Sequence, residues 1–352
     1  MRSLFSAAIA ALLFSCPPRA GATETPAPTF PGKTWESIDP KSLGWSQEKL
    51  TLANEFSRQI GSKAVIVIEG GRVIASWGDI AERINVHSIR KSLISSLYGI
   101  HVAEKAIDLR ATLQDLAIDD RPPRLTAGEK EARVEDLLMA RSGVYHVSAY
   151  ETADEKAKRP ARGSHPHGTF WYYNNWDFNT LGTILKQQVQ LDVFEDFEAR
   201  IARPIGLEDY QSGDGKFVRD ESSDHPAYIF NVTARDLARF GLLYLRKGNW
   251  NGVQVVPADW IAQSTRPLSD AGRARGYGYL WWTPLGTDQF YGAQVGASAF
   301  AGLGHGGNVL LVSPDHDLVI VHLVGARAVS YDHVGALAQK IIAAQPAVSR
   351  KK

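Results

Sequence analysis

Apolar positions form short β-branched runs near the two ends of the chain and fall at helical spacing between them. Near the start, Ala64-Val65-Ile66-Val67-Ile68 and Val73-Ile74-Ala75 flank Glu69-Gly70-Gly71, a strong hairpin signal. A helix with a polar face is expected just before it, from Gln47 to Ile60, capped by Ser46. From Leu93 to Ala103 the apolar residues occupy most faces of a helix, which is how a buried helix reads. Val134 to Ala140 predicts a short apolar helix ending near Ser142-Gly143, and Asn179 to Ala199 a longer one. Between them Tyr150 to Lys158 is polar, and Arg159 to Gly168 is a loop with two prolines, two glycines and two histidines. Ala234 to Leu245 is amphipathic behind a Thr233 cap. The last third returns to strands at Gly276 to Thr283, Asn308 to Val312 and Leu318 to Val324, with a turn at Ser313 to Asp317. A closing helix is expected from His333 to Ala344. This order predicts an α+β fold: an antiparallel sheet from both chain ends, flanked by helices, with a mostly helical subdomain inserted. The sheet region would span about 41–87 and 225–346, and the helical region about 88–224.

The amino terminus changes the picture. Arg2, an apolar run from Leu4 to Phe14, and Ala20-Gly21-Ala22 read as a secretory signal peptide over 1–22, cleaved after Ala22. The run is short for a membrane span. Processing as a lipoprotein at Cys16 ranks second, because Phe14 fits a lipobox poorly. A periplasmic or secreted location follows as an expectation. Residues 23–40 open with a Pro-, Thr- and Ala-rich stretch and read as a flexible lead-in, and 347–352 as a basic tail. Cys16 is the only cysteine, so cleavage would leave no disulfide, thiolate metal site or cysteine nucleophile.

The 352 residues are 44% apolar and 22% charged, ordinary for a soluble globular protein and enough for one large domain. The net charge of +1 gives no support to a nucleic-acid or charged-membrane partner. No His-Glu-x-x-His spacing occurs, so neither a metal nor a cofactor is expected. The Gly-x-Ser-x-Gly elbow is also missing.

The candidate chemistry centres on Ser88-Ile89-Arg90-Lys91. If a helix begins at Ser88, Lys91 lies one turn on along the same face. A serine hydroxyl becomes a useful nucleophile when a neighbouring base takes its proton. A lysine is such a base when burial or nearby positive charge lowers its pKa. Ser-x-x-Lys alone is weak, and the chain has two more: Ser46 to Lys49 reads as a helix cap and Ser349 to Lys352 as tail. The apolar helix behind Ser88 and two later motifs set it apart. One is Gly168-Thr169-Phe170-Trp171-Tyr172-Tyr173-Asn174-Asn175-Trp176, where a tyrosine beside a lysine could be held partly ionised and carry protons. Its asparagine could orient the lysine or a substrate amide. Both Tyr172/Asn174 and Tyr173/Asn175 fit the spacing. The other is Gly302-Leu303-Gly304-His305-Gly306-Gly307-Asn308, a glycine-rich approach to an apolar strand whose first N–H could face an oxyanion. Trp171, Trp176, Trp281 and Trp282 are candidate wall residues, with core packing expected for at least half of them.

These three motifs in this order resemble the serine β-lactamase and penicillin-binding protein superfamily, in the branch of class C β-lactamases, D-alanyl-D-alanine carboxypeptidases, esterases and 6-aminohexanoate-dimer hydrolases. The resemblance runs from about Ser46 to Ala344 and implies the β-lactamase/transpeptidase-like fold over 41–346. It selects the register of Tyr173 and Asn175. It implies Ser88 as nucleophile, Lys91 as its proton partner and Tyr173 as acid/base. Asn175, His305, Gly307 and Asn308 would bind or orient substrate, with an oxyanion hole from the N–H groups of Ser88 and Asn308. His305 stands where the family's Lys-Thr-Gly lysine would be, and Asn174 where a serine is common. Both departures favour the esterase and amidase members over the β-lactamases. The implied activity is cleavage of a small ester or amide through an acyl-enzyme. The alternatives are a β-lactamase or carboxypeptidase, and, in another class, a slowly deacylating penicillin-binding sensor.

Overall fold

A computed structural model describes residues 29–346. The expected signal peptide, Cys16 and the basic tail lie outside the described residues. Helix α1 (Gln47–Ile60) starts at Ser46, whose side chain accepts from the Lys49 N–H, and stops at Gly61 in the left-handed region. It leads into the hairpin of β1 (Ser62–Glu69) and β2 (Arg72–Gly78), turned by Gly70 and Gly71, both with positive φ. The chain then leaves the sheet for α2 (Ile89–Ala103), α3 (Asn175–Val189) and α4 (Ala234–Leu245), the last capped by Thr233 as its sequence implies. It returns as β3 (Ser269–Asp270), β4 (Arg275–Tyr277), β5 (Trp282–Pro284), β6 (Phe300–Gly304), β7 (Asn308–Ser313) and β8 (Leu318–Val324), and closes with α5 (Tyr331–Ile342).

The eight strands form one sheet in the order β2-β1-β8-β7-β6-β5-β4-β3, every pair antiparallel. The hairpin from the amino-terminal end docks on β8 from the carboxyl-terminal end, with Ile66 opposite Val321. This is the sheet from both ends that the hydrophobic pattern predicts. Both of its faces are covered. Ala64, Ile66 and Ile68 join the core shared with α2 and α4, while Val65 and Val67 join the core under α1 and α5. Burial on both faces explains why these strands read as unbroken β-branched runs rather than apolar/polar alternation.

Three local differences from the sequence reading have physical causes. The helix expected over Asn179–Ala199 begins at Asn175, because Asn174 caps it, and breaks at Gln190 in the left-handed region. A second helix, Val193–Phe197, restarts behind Asp192, whose carboxylate accepts from the N–H groups of Phe194 and Glu195. The single strand expected over Gly276–Thr283 is two, β4 and β5, folded back through a bend with Leu280 at φ 67°. Residues 216–229, mostly inside the region expected to be helical, form a hairpin of Lys216–Asp220 and Ser223–Ile229 packed on α3.

The glycine-rich stretch before Asn308 is not a bend throughout: Gly302 to Gly304 lie in β6. Glycine is required there by close approach. A Cβ at Gly302 would meet Ser92 Oγ at 3.0 Å and Ile89 Cγ2 at 3.2 Å, and one at Gly304 would lie 2.3 Å from the Val86 carbonyl oxygen. The sheet thereby presses on α2 and on the residues leading into it. Gly304→Ala is expected to lower stability by about 1–3 kcal/mol and to lower activity, because the displaced Val86 is two residues before Ser88. Thermal unfolding alongside an ester-hydrolysis assay checks both.

Candidate active site

Ser88 occupies the cap position at the start of α2, yet its hydroxyl makes no capping bond. Its Oγ lies 2.7 Å from Lys91 Nζ instead. His87, just before it, is held at φ 50°, a conformation that few non-glycine residues adopt. Its N–H donates to Asn85 Oδ1 at 2.9 Å, and its Nδ1 is 3.0 Å from the Tyr150 hydroxyl. The turn into α2 is thus fixed from both sides, with Ser88 half-buried on the wall of a cavity of about 770 Å³.

Lys91 is 1% exposed. Its Nζ sits 4.7 Å from the ring centres of both Tyr173 and Phe178. Burial pushes its pKa well below the usual lysine value, the neighbouring Arg90 guanidinium pushes the same way, and Glu155 opposes them. Arg90 is itself buried, with Nη2 3.2 Å from Asn179 Oδ1 and its carbon 4.4 Å from the centre of the Tyr228 ring. Among the described residues no carboxylate pairs with it directly, so its charge is felt at Lys91. A neutral amine accepts from the Ser88 hydroxyl, the geometry a proton acceptor needs.

The structure separates the two registers of the aromatic motif. Tyr173 lines the cavity together with Ser88, and Lys91 Nζ lies 4.7 Å from its ring centre. Tyr172 borders the cavity too, but its hydroxyl is engaged, donating to the Glu155 carbonyl at 2.8 Å. Asn174 is buried as the cap of α3, donating to the Val144 carbonyl and to Asp177. Enclosure pushes the Tyr173 phenol well above its ordinary range, against the opposing pull of Ser88. This corrects the expectation of a partly ionised tyrosine: a desolvated phenolate is costly, and the amine beside it is itself driven toward neutrality.

Asn175 and His305 line the same cavity. The Asn175 amide donates to Glu155 Oε2 at 3.1 Å and to the Tyr150 carbonyl at 3.3 Å, while its Oδ1 is buried without a partner. Its hydrogen bonds therefore go to the loop across the cavity, with none to Lys91. His305 is exposed in the turn after β6, its ring centre 5.7 Å from that of His87. Gly307 and Asn308 are not part of the lining; Leu303, on β6, is. The Asn308 side chain braces the turn, donating to the His305 carbonyl and accepting from the Val324 N–H. Of the four tryptophans, Trp171 and Trp282 line the cavity, and Trp176 and Trp281 are fully buried in the core.

Some lining residues escaped the sequence reading. Glu155 faces Lys91 and Tyr173 electrostatically and accepts from the Thr152 N–H at 2.7 Å. Thr152-x-x-Glu155 is a legible capping box for the short helix Ala153–Lys158, but nothing local shows that this helix borders the cavity. Tyr150, Arg273, Arg275, Tyr291 and Tyr331 also arrive from distant segments. Among the described residues, no group of three or more His, Cys, Asp or Glu side chains could hold a metal ion. Among them, too, no helix is long and apolar enough to cross a membrane.

The β-lactamase family profile matches residues 46–341, nearly the whole described chain. The chain belongs to the β-lactamase family. A protein of Alkalihalophilus pseudofirmus with no assigned function is 29% identical over 289 residues, covering 73% of this chain and 82% of its own length. A candidate 6-aminohexanoate-dimer hydrolase from Bacillus anthracis has a similar structure, with a TM-score of 0.66 at 20% identity, covering 89% of this chain and 87% of that one. EstCE1, a hydrolase with promiscuous acyltransferase activity, superposes with a TM-score of 0.59 at 14% identity, covering 87% and 98% of the two chains. At these identities the structural likenesses show the fold: the β-lactamase/transpeptidase-like arrangement of a large antiparallel sheet flanked by helices. Members of the β-lactamase family are hydrolases, and the motifs at Ser88, Tyr173 and His305 fall inside the matched span.

Proposed function

We propose that the protein is a serine hydrolase that cleaves a small ester or amide through an acyl-enzyme on Ser88. The observation that carries this reading is the 2.7 Å contact between the Ser88 hydroxyl and a lysine amine enclosed by two aromatic rings and pushed toward neutrality. Lys91 takes the proton as Ser88 attacks the carbonyl. Tyr173, a phenol on the same wall with its ring against Lys91, hands a proton to the leaving group and recovers one from the Lys91 ammonium. The directions of the two pKa shifts support Lys91 as the base and Tyr173 as the acid of the acylation step. The Ser88 N–H supplies one oxyanion donor. The second is placed on β6 near Leu303, since Asn308 lies off the lining. The structural neighbours include a named hydrolase and an acyltransferase beside β-lactamases and penicillin-binding proteins, so the preference for an ester or amide over a β-lactam rests on His305 standing where the family's lysine would be. The apolar Leu4–Phe14 run supports export, with a mature chain beginning at Thr23.

The test is labelling with a fluorophosphonate probe, then intact mass and peptide mapping, together with turnover of p-nitrophenyl acetate and nitrocefin. One adduct on Ser88, and acetate ester cleaved much faster than nitrocefin, is expected. An adduct on another residue, or none with no turnover, sinks the assignment.

A further inference from the structure

Charges along the cavity wall are unevenly paired. On the side of the Ala153–Lys158 helix the carboxylates have partners. Glu151 pairs with Arg159 at 2.5 Å, Asp154 with Lys158 at 2.7 Å, and Glu155 accepts from Thr152 and Asn175. The β3–β4 hairpin brings two guanidinium groups, Arg273 and Arg275, to the same lining. Neither forms an ion pair of 4.0 Å or less among the described residues, although Asp332 borders the adjoining hollow.

Arg275 is held ready for a ligand. Its guanidinium carbon lies 5.6 Å from the Trp282 ring centre and 5.4 Å from that of Tyr291. Nη1 donates to the Tyr291 hydroxyl at 2.6 Å and Nε to the Gly272 carbonyl at 3.4 Å, which leaves Nη2 without a partner among the described residues. A planar guanidinium fixed on aromatic faces loses little freedom when it binds, and its open edge fits a carboxylate. Trp282 in turn stacks on Tyr173, with ring centres 5.5 Å apart. Arg275 is therefore no farther from the Tyr173 ring than those 5.5 Å and 5.6 Å steps laid end to end.

We propose that Arg275, assisted by Arg273, is the anion-recognition element of this site, and that the substrate is an ester or amide whose acyl part ends in a carboxylate. The carboxylate lies within a reach of about three extended residues of the scissile carbonyl. The proposal rests on the hydrolase reading for the reaction, but not for the binding of the anion.

The experiment compares kcat/KM for mono-p-nitrophenyl adipate and p-nitrophenyl hexanoate, which share a chain length and differ in the terminal carboxylate. In Arg275→Met the adipate-to-hexanoate ratio is expected to fall about ten- to a hundredfold, with a smaller fall in Arg275→Lys, which keeps the charge. In parallel, calorimetry with monomethyl adipate reads the subsite without turnover. Ser88→Ala with Arg275→Met should bind it at least about tenfold more weakly than Ser88→Ala alone. An unchanged ratio and an unchanged affinity overturn the proposal. Loss of turnover of both esters by the unmodified enzyme, with the affinity difference retained, supports the anion subsite and sinks the hydrolase reading alone. If Arg275→Met does not fold, the exposed Arg273→Gln and the milder Arg275→Lys carry the same comparison, and no drop in either overturns it.

Discussion

Ser88→Ala is expected to lower ester hydrolysis by at least ~10,000-fold while leaving the fold intact. The hydroxyl is the bond-forming group, and no other side chain near Lys91 can take its place. Lys91 Nζ touches Ser88 Oγ and otherwise faces the rings of Tyr173 and Phe178. Structural cost is small, because the Ser88 side chain caps nothing. Steady-state turnover of p-nitrophenyl acetate with circular dichroism of both proteins is the measurement. A variant that is folded and still within about tenfold of the parent rate removes Ser88 from the chemistry.

Lys91→Met is expected to be as inactive as Ser88→Ala, yet more stable than the parent. The amine is buried beside Arg90, and its folded pKa is depressed. In the unfolded chain lysine titrates near about 10.4, so folding near neutral pH either strips a proton from it or buries a charge. That cost is absent above the unfolded lysine pKa, where both states are neutral. It grows as pH falls toward the folded pKa and is constant below it. Methionine keeps the volume and removes the titration, so the gain should be at least about 1 kcal/mol near neutral pH and should shrink as pH rises toward the lysine range. Urea unfolding of both proteins across pH checks the size and the sign. A destabilised Lys91→Met at neutral pH would mean that the amine is not held against its preference, and the argument for Lys91 as a base would go with it. The same depression gives the wild-type rate its form: activity rises with pH as Lys91 deprotonates, at a pH below the ordinary lysine value.

Much of the fold is written locally. The run from Ala64 to Ala75 with its Gly-Gly turn, the Ser46 and Thr233 caps, and the apolar faces of α2 are short-range signals, and each is found in the structure where its residues stand. The pairing of Ser88 with Lys91 is equally local, since one helical turn sets it. Ambiguity arose where two local signals competed. Asp192 caps a new helix inside an apolar period, and Leu280 reverses a strand that otherwise reads as continuous.

What the amino-acid sequence determined by itself was the class of fold, the serine with an amine one turn away, and the order of the three motifs. What only the tertiary structure decided was their company: which tyrosine of the Tyr172-Tyr173 pair packs on Lys91, that β6 and not the strand beginning at Asn308 borders the cavity, and that Glu155 and Arg275 both line it. The physical reason is range. Helix periodicity and capping act over three or four residues, whereas a pKa and a binding wall depend on burial and on charges brought together from segments far apart in the chain.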